Sequence, residues 1–353
     1  MDVTLQRGGD WYFPPRPPKD WERVSVAEVG WDGSAVEELV HYCEAHQSEQ
    51  LLILHGGRIL LEHYWQGANA ETTADVASVQ KSVIGLLLDM LSGAGVLDID
   101  DSVGQWLGQG WSRTTPKQEE ALRLRHLMTM TSGLYDDFNF EGAAGTLWYY
   151  NNNAYHQLRK VIEVATGQTT QEVFDRLLAA PLGIVGARWI ERVSMVDPKG
   201  WTLSGFHASA RHLARLGMLV LSRGNWKDES LVDGGVLIRS LVPSQELNPS
   251  YGQLWWLPSE PTAILPGGIV VDERKSFGGR SLDHPIIPSA PPDLVAAFGA
   301  GVKRLYVSTT LGLVVVRLGR SPDSGVLSND FDEGLWQRVL AAAGLSQHHW
   351  PSR

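Results

Sequence analysis

Strand-like runs lie near both ends of this chain of 353 residues, and helical patterns fill most of the length between them. Residues 51–55 and 58–64 surround Gly56-Gly57, which predicts a hairpin with a tight turn. Two further runs, at 305–308 and 313–318, lie near the C-terminus. The pattern therefore predicts an α/β (α+β) fold, with an antiparallel sheet built from the N- and C-terminal parts, flanked by helices, and an inserted all-helical lobe.

The same pattern sets the expected domain boundaries. We expect residues 1–77 and 181–353 to form the α/β domain together, and residues 78–180 to form the helical lobe. Residues 258–294 are rich in Pro and Gly, and a loop of that length in a compact domain is usually functional. We therefore expect this segment to form a rim loop at the active site.

Composition excludes several classes of protein. The net charge is −10 without a basic stripe, which argues against nucleic acid as a partner. No stretch reaches the ~18 apolar residues of a membrane span, and the N-terminus lacks a signal-peptide pattern, so we expect a cytoplasmic protein. A single cysteine, Cys43, excludes an intramolecular disulfide framework. Fourteen Trp residues favour a substrate with apolar or aromatic groups.

The motif most relevant to chemistry is Ser78-Val79-Gln80-Lys81, at the head of an apolar helical stretch. Residues three apart lie on one helix face, so the Lys81 amine can take a proton from the Ser78 hydroxyl. The unpaired N–H groups at a helix N-terminus can also stabilise an oxyanion there. The spacing therefore predicts Ser78 as a nucleophile and Lys81 as its base.

A Tyr-x-Asn motif follows at Tyr150 and Asn152, and Tyr149 with Asn151 fits the same spacing. A lysine ammonium nearby predicts a lowered pKa for the phenol, because the opposite charge favours phenolate. Such a tyrosine can act as general base and then as general acid, and the Asn amide can anchor both lysine and substrate.

In their order along the chain, these motifs resemble the serine hydrolases of the class C β-lactamase, DD-peptidase and family VIII esterase superfamily. The resemblance implies a β-lactamase/DD-peptidase-like fold and an acyl-enzyme on Ser78, with Lys81 and Tyr150 as general base and acid. It favours Tyr150 and Asn152, because the family pattern has an aromatic residue three positions after the Asn, here Tyr155. The matching pieces, within roughly residues 50–320, are Glu62-His63-Tyr64, Ala77–Ser82, Gly95–Asp101, Leu127–Leu134, Tyr150-Asn151-Asn152 and Ala180–Gly183.

One element departs from the superfamily, which usually has Lys-Thr-Gly or His-Thr-Gly before its last strands. The equivalent here is Gly299-Ala300-Gly301-Val302, without the basic residue and the threonine. The resemblance implies that the Val302 N–H, next to Gly301, joins the Ser78 N–H as an oxyanion donor. Of Lys303 and Arg304, at most one can face the site, because adjacent strand residues point to opposite faces. In the superfamily, that basic residue helps to bind a carboxylate of the substrate. Its absence here therefore favours the esterase and amide-hydrolase branches.

The main prediction is a serine hydrolase that acts on a small ester or amide, without cofactor or metal. One alternative is a β-lactamase or D-amino-acid peptidase, and another is a catalytically idle binding or scaffold protein of the same fold. The presence of Ser78, Lys81 and Tyr150 together favours an enzyme. His348-His349 indicates a solvated tail, and the sequence does not indicate the oligomeric state.

Overall fold

The computed structural model describes residues 11–17, 19–266, 280–320 and 329–345. The predicted His348-His349 tail and part of the predicted 258–294 rim loop lie outside these residues. The helices are, in chain order, α1 (Gly33–Ala45), α2 (Gln80–Gly93), α3 (Val103–Leu107), α4 (Pro116–Glu120), α5 (Leu124–Met128), α6 (Asn152–Thr166), α7 (Thr170–Phe174), α8 (Ala180–Leu182), α9 (Ala210–Leu221), α10 (Gly234–Ser240) and α11 (Asn329–Ala342). The strands are β1 (Ser48–His55), β2 (Arg58–Tyr64), β3 (Ala74–Asp75), β4 (Arg188–Val196), β5 (Thr202–Ala208), β6 (Asn225–Trp226), β7 (Glu229–Ser230), β8 (Ala263–Leu265), β9 (Arg280–Leu282), β10 (Val295–Gly299), β11 (Lys303–Ser308) and β12 (Leu313–Gly319).

The central sheet has five antiparallel strands in the order β10-β11-β12-β1-β2. Its middle pairing joins the two ends of the chain, with Leu52 opposite Val316 and Leu54 opposite Val314. All of β12 is buried, as expected for a strand covered on both faces. The predicted sheet from N- and C-terminal parts is therefore confirmed.

The inserted part of the chain is helical. Between Ala77 and Leu182 the described elements are α2 to α8, a 3₁₀ turn at Ala77–Val79 and a π-helical turn at Asp175–Ala179. Helix α2 is buried on nearly all sides, which its run of apolar residues requires. The all-helical insertion is confirmed, while its boundaries at 78 and 180 stay a prediction.

A second sheet was not predicted from the sequence. Its order is β3-β5-β4, and it places β3, which leads into Ser78, against β5. Strand β4 is mostly exposed and does not alternate between buried and exposed residues. It therefore lacks the period of two by which a half-buried strand is recognised.

Two buried arginines support the hairpin between β10 and β11. Arg304 binds Asp332 of α11 through Nε and Nη2, at 2.8 and 3.0 Å, and also donates to the Gly299 carbonyl at 2.8 Å. Arg317 donates to the carbonyls of Gly301 and Val302 at 2.9 and 3.0 Å. Because both guanidinium groups are fully buried, these carbonyl and carboxylate partners offset the cost of desolvation.

None of the described helices is both long and apolar enough to cross a bilayer.

Helix α9 packs closely on the central sheet at Gly217. A Cβ atom on this residue would lie 2.5 Å from Val314 Cγ1 and 2.9 Å from Leu305 Cδ1. Real Cβ contacts are longer, so any side chain at this position would push the helix from the sheet.

We expect Gly217→Ala to lower the free energy of unfolding by about 1–3 kcal/mol, because the added methyl group overpacks this contact. Urea unfolding measures the change. The matched control is Gly33→Ala in α1, where a Cβ would meet no atom within 4 Å. Equal effects of the two substitutions would contradict the close contact at Gly217.

Candidate active site

The Ser78–Lys81 pair lies where the helical insertion meets the central sheet. Ser78 is in the 3₁₀ turn Ala77–Val79, and Lys81 is in the first turn of α2. The Lys81 Nζ lies 3.0 Å from Ser78 Oγ, within hydrogen-bond distance. The structure thus brings together the two residues that the motif predicted.

The surroundings of Lys81 lower the pKa of its side-chain ammonium group. The side chain is only 3% exposed, and Nζ lies 4.7 and 4.6 Å from the ring centroids of Tyr150 and Tyr155. Burial lowers the pKa of Lys81 to about 7, and the positive charge of Arg192 contributes in the same direction. A neutral amine beside Ser78 is therefore well populated near neutral pH, as a general base requires.

Helix α6 supplies the second partner of Lys81. The Asn151 side chain caps this helix by accepting from the Ala154 N–H, and its amide donates to the carbonyls of Leu134 and Tyr135. The cap fixes Asn152 as the first helical residue, and Asn152 Oδ1 lies 2.8 Å from Lys81 Nζ.

The alternative pair of the Tyr-x-Asn motif has different partners. Tyr149 donates to Asp136 at 2.6 Å, and Asn151 is occupied as the helix cap. The structure therefore brings Tyr150 and Asn152 to Lys81, not Tyr149 and Asn151.

The phenol of Tyr150 does not have the lowered pKa that the sequence suggested. Burial raises its pKa, and a hydrogen bond with Ser78 and the charge of Arg304 offset this only in part. The sequence-based prediction is wrong, because it assumed a charged ammonium beside a hydrated phenol. In the structure, both groups are buried, and burial favours their uncharged forms.

Aromatic side chains surround Tyr150. Its ring is stacked with Trp256 at a centroid distance of 5.9 Å, and Trp256 is stacked with Phe298 of β10 at 5.7 Å. Trp148 and Tyr251 pack edge-on against Trp256, at 6.1 and 4.8 Å. This cluster excludes water from one side of Tyr150.

The end of β10 contacts the turn that carries Ser78. A Cβ on Gly299 would lie 2.4 Å from the Val76 carbonyl oxygen and 3.3 Å from Ala77 Cβ, so only glycine allows this approach. Gly301 and Val302 lie further along, in the turn to β11, with φ angles of 73° and 57°. Their carbonyls face Arg317, whereas Gly299 contacts the turn that carries Ser78.

The outer edge of β10 is partly covered. Ala296 exchanges two backbone hydrogen bonds with Trp256, at 2.8 and 2.9 Å. Because backbone groups of alternate residues point to the same edge, the Phe298 N–H also faces away from β11.

Lys303 and Arg304 point to different surroundings. Arg304 is buried against Asp332, whereas Lys303 Nζ lies 3.2 Å from the Ala300 carbonyl and is partly exposed. Arg304 therefore does not face the site. Among the residues that the structure describes, no group of three or more His, Cys, Asp or Glu side chains could hold a metal ion.

Sequence reasoning missed Asp75 and Arg192, which lie beside the turn that carries Ser78. Asp75 Oδ1 accepts from the Ala77 N–H at 2.8 Å, and Asp75 Oδ2 binds Arg192 Nη2 at 2.6 Å. An Asp side chain often accepts a hydrogen bond from the backbone N–H two residues further along, so the contact of Asp75 with Ala77 could have been predicted from the sequence. Nothing local indicates the second, because 117 positions separate the two residues.

The central antiparallel sheet, the helical insertion and the Ser-x-x-Lys pair at their junction define a β-lactamase-like protein. The chain belongs to the β-lactamase family, whose model matches residues 38–278. This family consists mostly of hydrolases, including esterases and amidases.

Individual relatives are similar to different extents. An uncharacterized protein of Alkalihalophilus pseudofirmus is 25% identical over 244 residues, 60% of this chain and 71% of that protein. Esterase EstB of Burkholderia gladioli is 30% identical over 148 residues, 32% of this chain and 38% of the esterase. The crystal structure of a candidate β-lactamase from Bacteroides dorei aligns with a TM-score of 0.67 at 15% identity, covering 89% of this chain and 99% of its own. At 15% identity, this similarity shows a shared fold and carries no conclusion about function.

We expect the Lys81 amine to titrate near pH 7, with the neutral form above that pH, because its burial disfavours the charge. NMR titration of protein with ¹³C-labelled lysine measures the midpoint, and the Lys81→Met variant assigns the resonance. A midpoint at about 10, the ordinary value for lysine, would contradict the dry environment.

Proposed function

We propose that this protein is a serine hydrolase that cleaves a small carboxylic ester or amide through an acyl-enzyme on Ser78. The observation that carries the proposal is the Lys81 amine, buried and 3.0 Å from Ser78 Oγ. A desolvated amine at hydrogen-bond distance is a competent base for a serine nucleophile.

The reaction follows from the positions of the proton carriers. Lys81 takes the Ser78 proton as Oγ attacks the substrate carbonyl, and a tetrahedral oxyanion forms. Tyr150, which keeps its proton because burial raises its pKa, is the general acid that protonates the leaving alcohol or amine. Lys81 passes its proton to the Tyr150 oxygen, and water then releases the acid by the reverse sequence of proton transfers.

Two backbone donors are proposed for the oxyanion. One is the Ser78 N–H, in the turn at the head of α2. The other belongs to the Phe298–Ala300 stretch rather than to Val302, because Gly299 in that stretch contacts the nucleophile's turn and the Phe298 N–H faces the outer edge. Asn152, bound to Lys81, is positioned to donate its amide N–H to the acyl part of the substrate.

The substrate class follows from the walls of the site. The cluster around Tyr150 offers apolar and aromatic surface, which suits an ester or amide with apolar groups. Ala297 and Phe298 precede Gly299, so β10 carries no cation to bind a carboxylate before this glycine. The relative named as an esterase is consistent with ester cleavage.

We expect Ser78→Ala to abolish both labelling by a fluorophosphonate probe and turnover of a short-chain nitrophenyl ester, because the attacking oxygen is removed. The matched control is Ser230→Ala, in the exposed hairpin β6–β7, which should react like the wild type. Mass spectrometry locates the label. Equal labelling of the wild type and Ser78→Ala would refute the nucleophile assignment, and an unreactive wild type would favour the scaffold alternative.

A chromogenic cephalosporin distinguishes the esterase proposal from the β-lactamase alternative. We expect hydrolysis to be at least about 30-fold slower than that of the nitrophenyl ester in kcat/KM, since a missing charge-assisted carboxylate contact costs about 2–3 kcal/mol. Absorbance assays of both substrates on one preparation give the ratio. Comparable values would show that the carboxylate anchor is not needed and would favour the lactamase.

A further inference from the structure

The residue before the nucleophile has a strained backbone. Ala77 has a φ of 51°, in the left-handed region that residues with a Cβ seldom adopt. Its N–H donates to Asp75 Oδ1 at 2.8 Å, which closes a short loop immediately before Ser78. The loop follows the two-residue strand β3, and the hydrogen bond from the Val76 N–H to the Phe206 carbonyl, at 2.9 Å, extends the ladder with β5 by one residue.

Arg192 of β4 holds the carboxylate that closes the loop. Its Nη2 and Nε lie 2.6 and 3.2 Å from Asp75 Oδ2, which leaves Oδ1 for Ala77. The pair crosses Gly205 of β5, where a Cβ would lie 2.7 Å from Asp75 Oδ2 and 2.8 Å from Arg192 Nη2. The fold therefore keeps a glycine where the ion pair passes.

The same contacts place Arg192 near Lys81: Arg192 binds Asp75, Asp75 accepts from the Ala77 N–H, and the next residue, Ser78, has its Oγ 3.0 Å from Lys81 Nζ. The other groups that face Lys81 are Ser78, Asn152, Tyr150, Tyr155 and His156. Burial raises the pKa values of the two tyrosines and lowers that of His156, so all of them are uncharged near neutral pH. The positive charge of Arg192, whose side chain is partly exposed, lowers the pKa of Lys81.

We propose that the Arg192–Asp75 ion pair is a positioning device with two effects: Asp75 holds the strained turn that places Ser78, and Arg192 keeps a positive charge beside Lys81. The proposal rests on the proposed function, because it assigns the pair a part in activating the same serine. Neither residue touches the reacting atoms. Both act through their neighbours.

The experiment is the pH dependence of the second-order rate constant for fluorophosphonate labelling of Ser78. This reaction needs the nucleophile and its base but no natural substrate. Wild-type labelling that is lost in Ser78→Ala establishes the proposed function first, so failure of the present proposal remains separate. The midpoint of the acid limb then reports the base of the free enzyme.

We expect Arg192→Gln to lower the labelling rate at pH 7 and to move the midpoint upward by about 0.5 unit or more, because a repelling charge is lost. Arg192→Lys keeps the charge but loses the two-point contact, so we expect a rate at least about fivefold lower with an almost unchanged midpoint. Asp75→Asn leaves Arg192 uncompensated, and we expect its midpoint to move downward.

Shifts of opposite sign in Arg192→Gln and Asp75→Asn are the signature that a purely structural role would not produce. Arg58→Gln, which removes an exposed arginine paired with Glu22, is the control for net charge and should leave the midpoint in place. Thermal melts show whether each variant is folded. If folded Arg192→Gln labels with the wild-type rate and midpoint, the proposal is overturned. If both Arg192→Gln and Asp75→Asn label more slowly but keep the wild-type midpoint, the electrostatic effect is overturned. The pair then acts only by positioning the turn before Ser78.

Discussion

The desolvation of Lys81 is the constraint on which the site depends. An ordinary lysine is protonated at neutral pH and cannot accept a proton, and here burial in α2 lowers its pKa to about 7. The helix can bury this side chain because the residues that follow are apolar and packed on nearly all sides. Ser78 and Asn152 both form hydrogen bonds with the amine, so the desolvated group still has polar partners. The proposed nucleophile thereby has a candidate base that is not a histidine.

The hairpin between β10 and β11, on the other side of the site, is stabilised by two buried arginines. Arg304 and Arg317 bind four carbonyls between Gly299 and Lys303, so the hairpin that approaches Ser78 is fixed by charged, buried donors. Asp332 connects Arg304 to α11, which couples the C-terminal helix to the position of the hairpin. Helix packing far from Ser78 thus contributes to the geometry around it.

Local patterns predicted the parts of the molecule that are determined locally. The hairpin around Gly56-Gly57, the buried helix after Ser78 and the i, i+3 spacing of Ser78 and Lys81 could all be predicted, because each depends on neighbours in sequence. The pKa of Tyr150 could not, since it depends on burial by Trp256 and its neighbours. Strand β4 and the Arg192–Asp75 pair were missed for similar reasons. The exposed strand has no alternation of apolar and polar residues, and an ion pair between residues far apart in sequence leaves no local pattern. The site residues were thus partly predictable, and their electrostatics were not.

The pairing of Trp256 with Ala296 limits how a substrate can lie along β10. Recognition by strand addition needs a free row of N–H and C=O groups at a sheet edge. Here Trp256 already pairs with this edge at Ala296, and beyond that pair the described strand continues toward Ser78 through Phe298 and Gly299. An extended polypeptide would compete with Trp256 for the same backbone groups, whereas a short acyl chain would need only the last of them. The main-chain edge of β10 left open beyond Trp256 is therefore short, and it ends at the glycine that contacts the Ser78 turn.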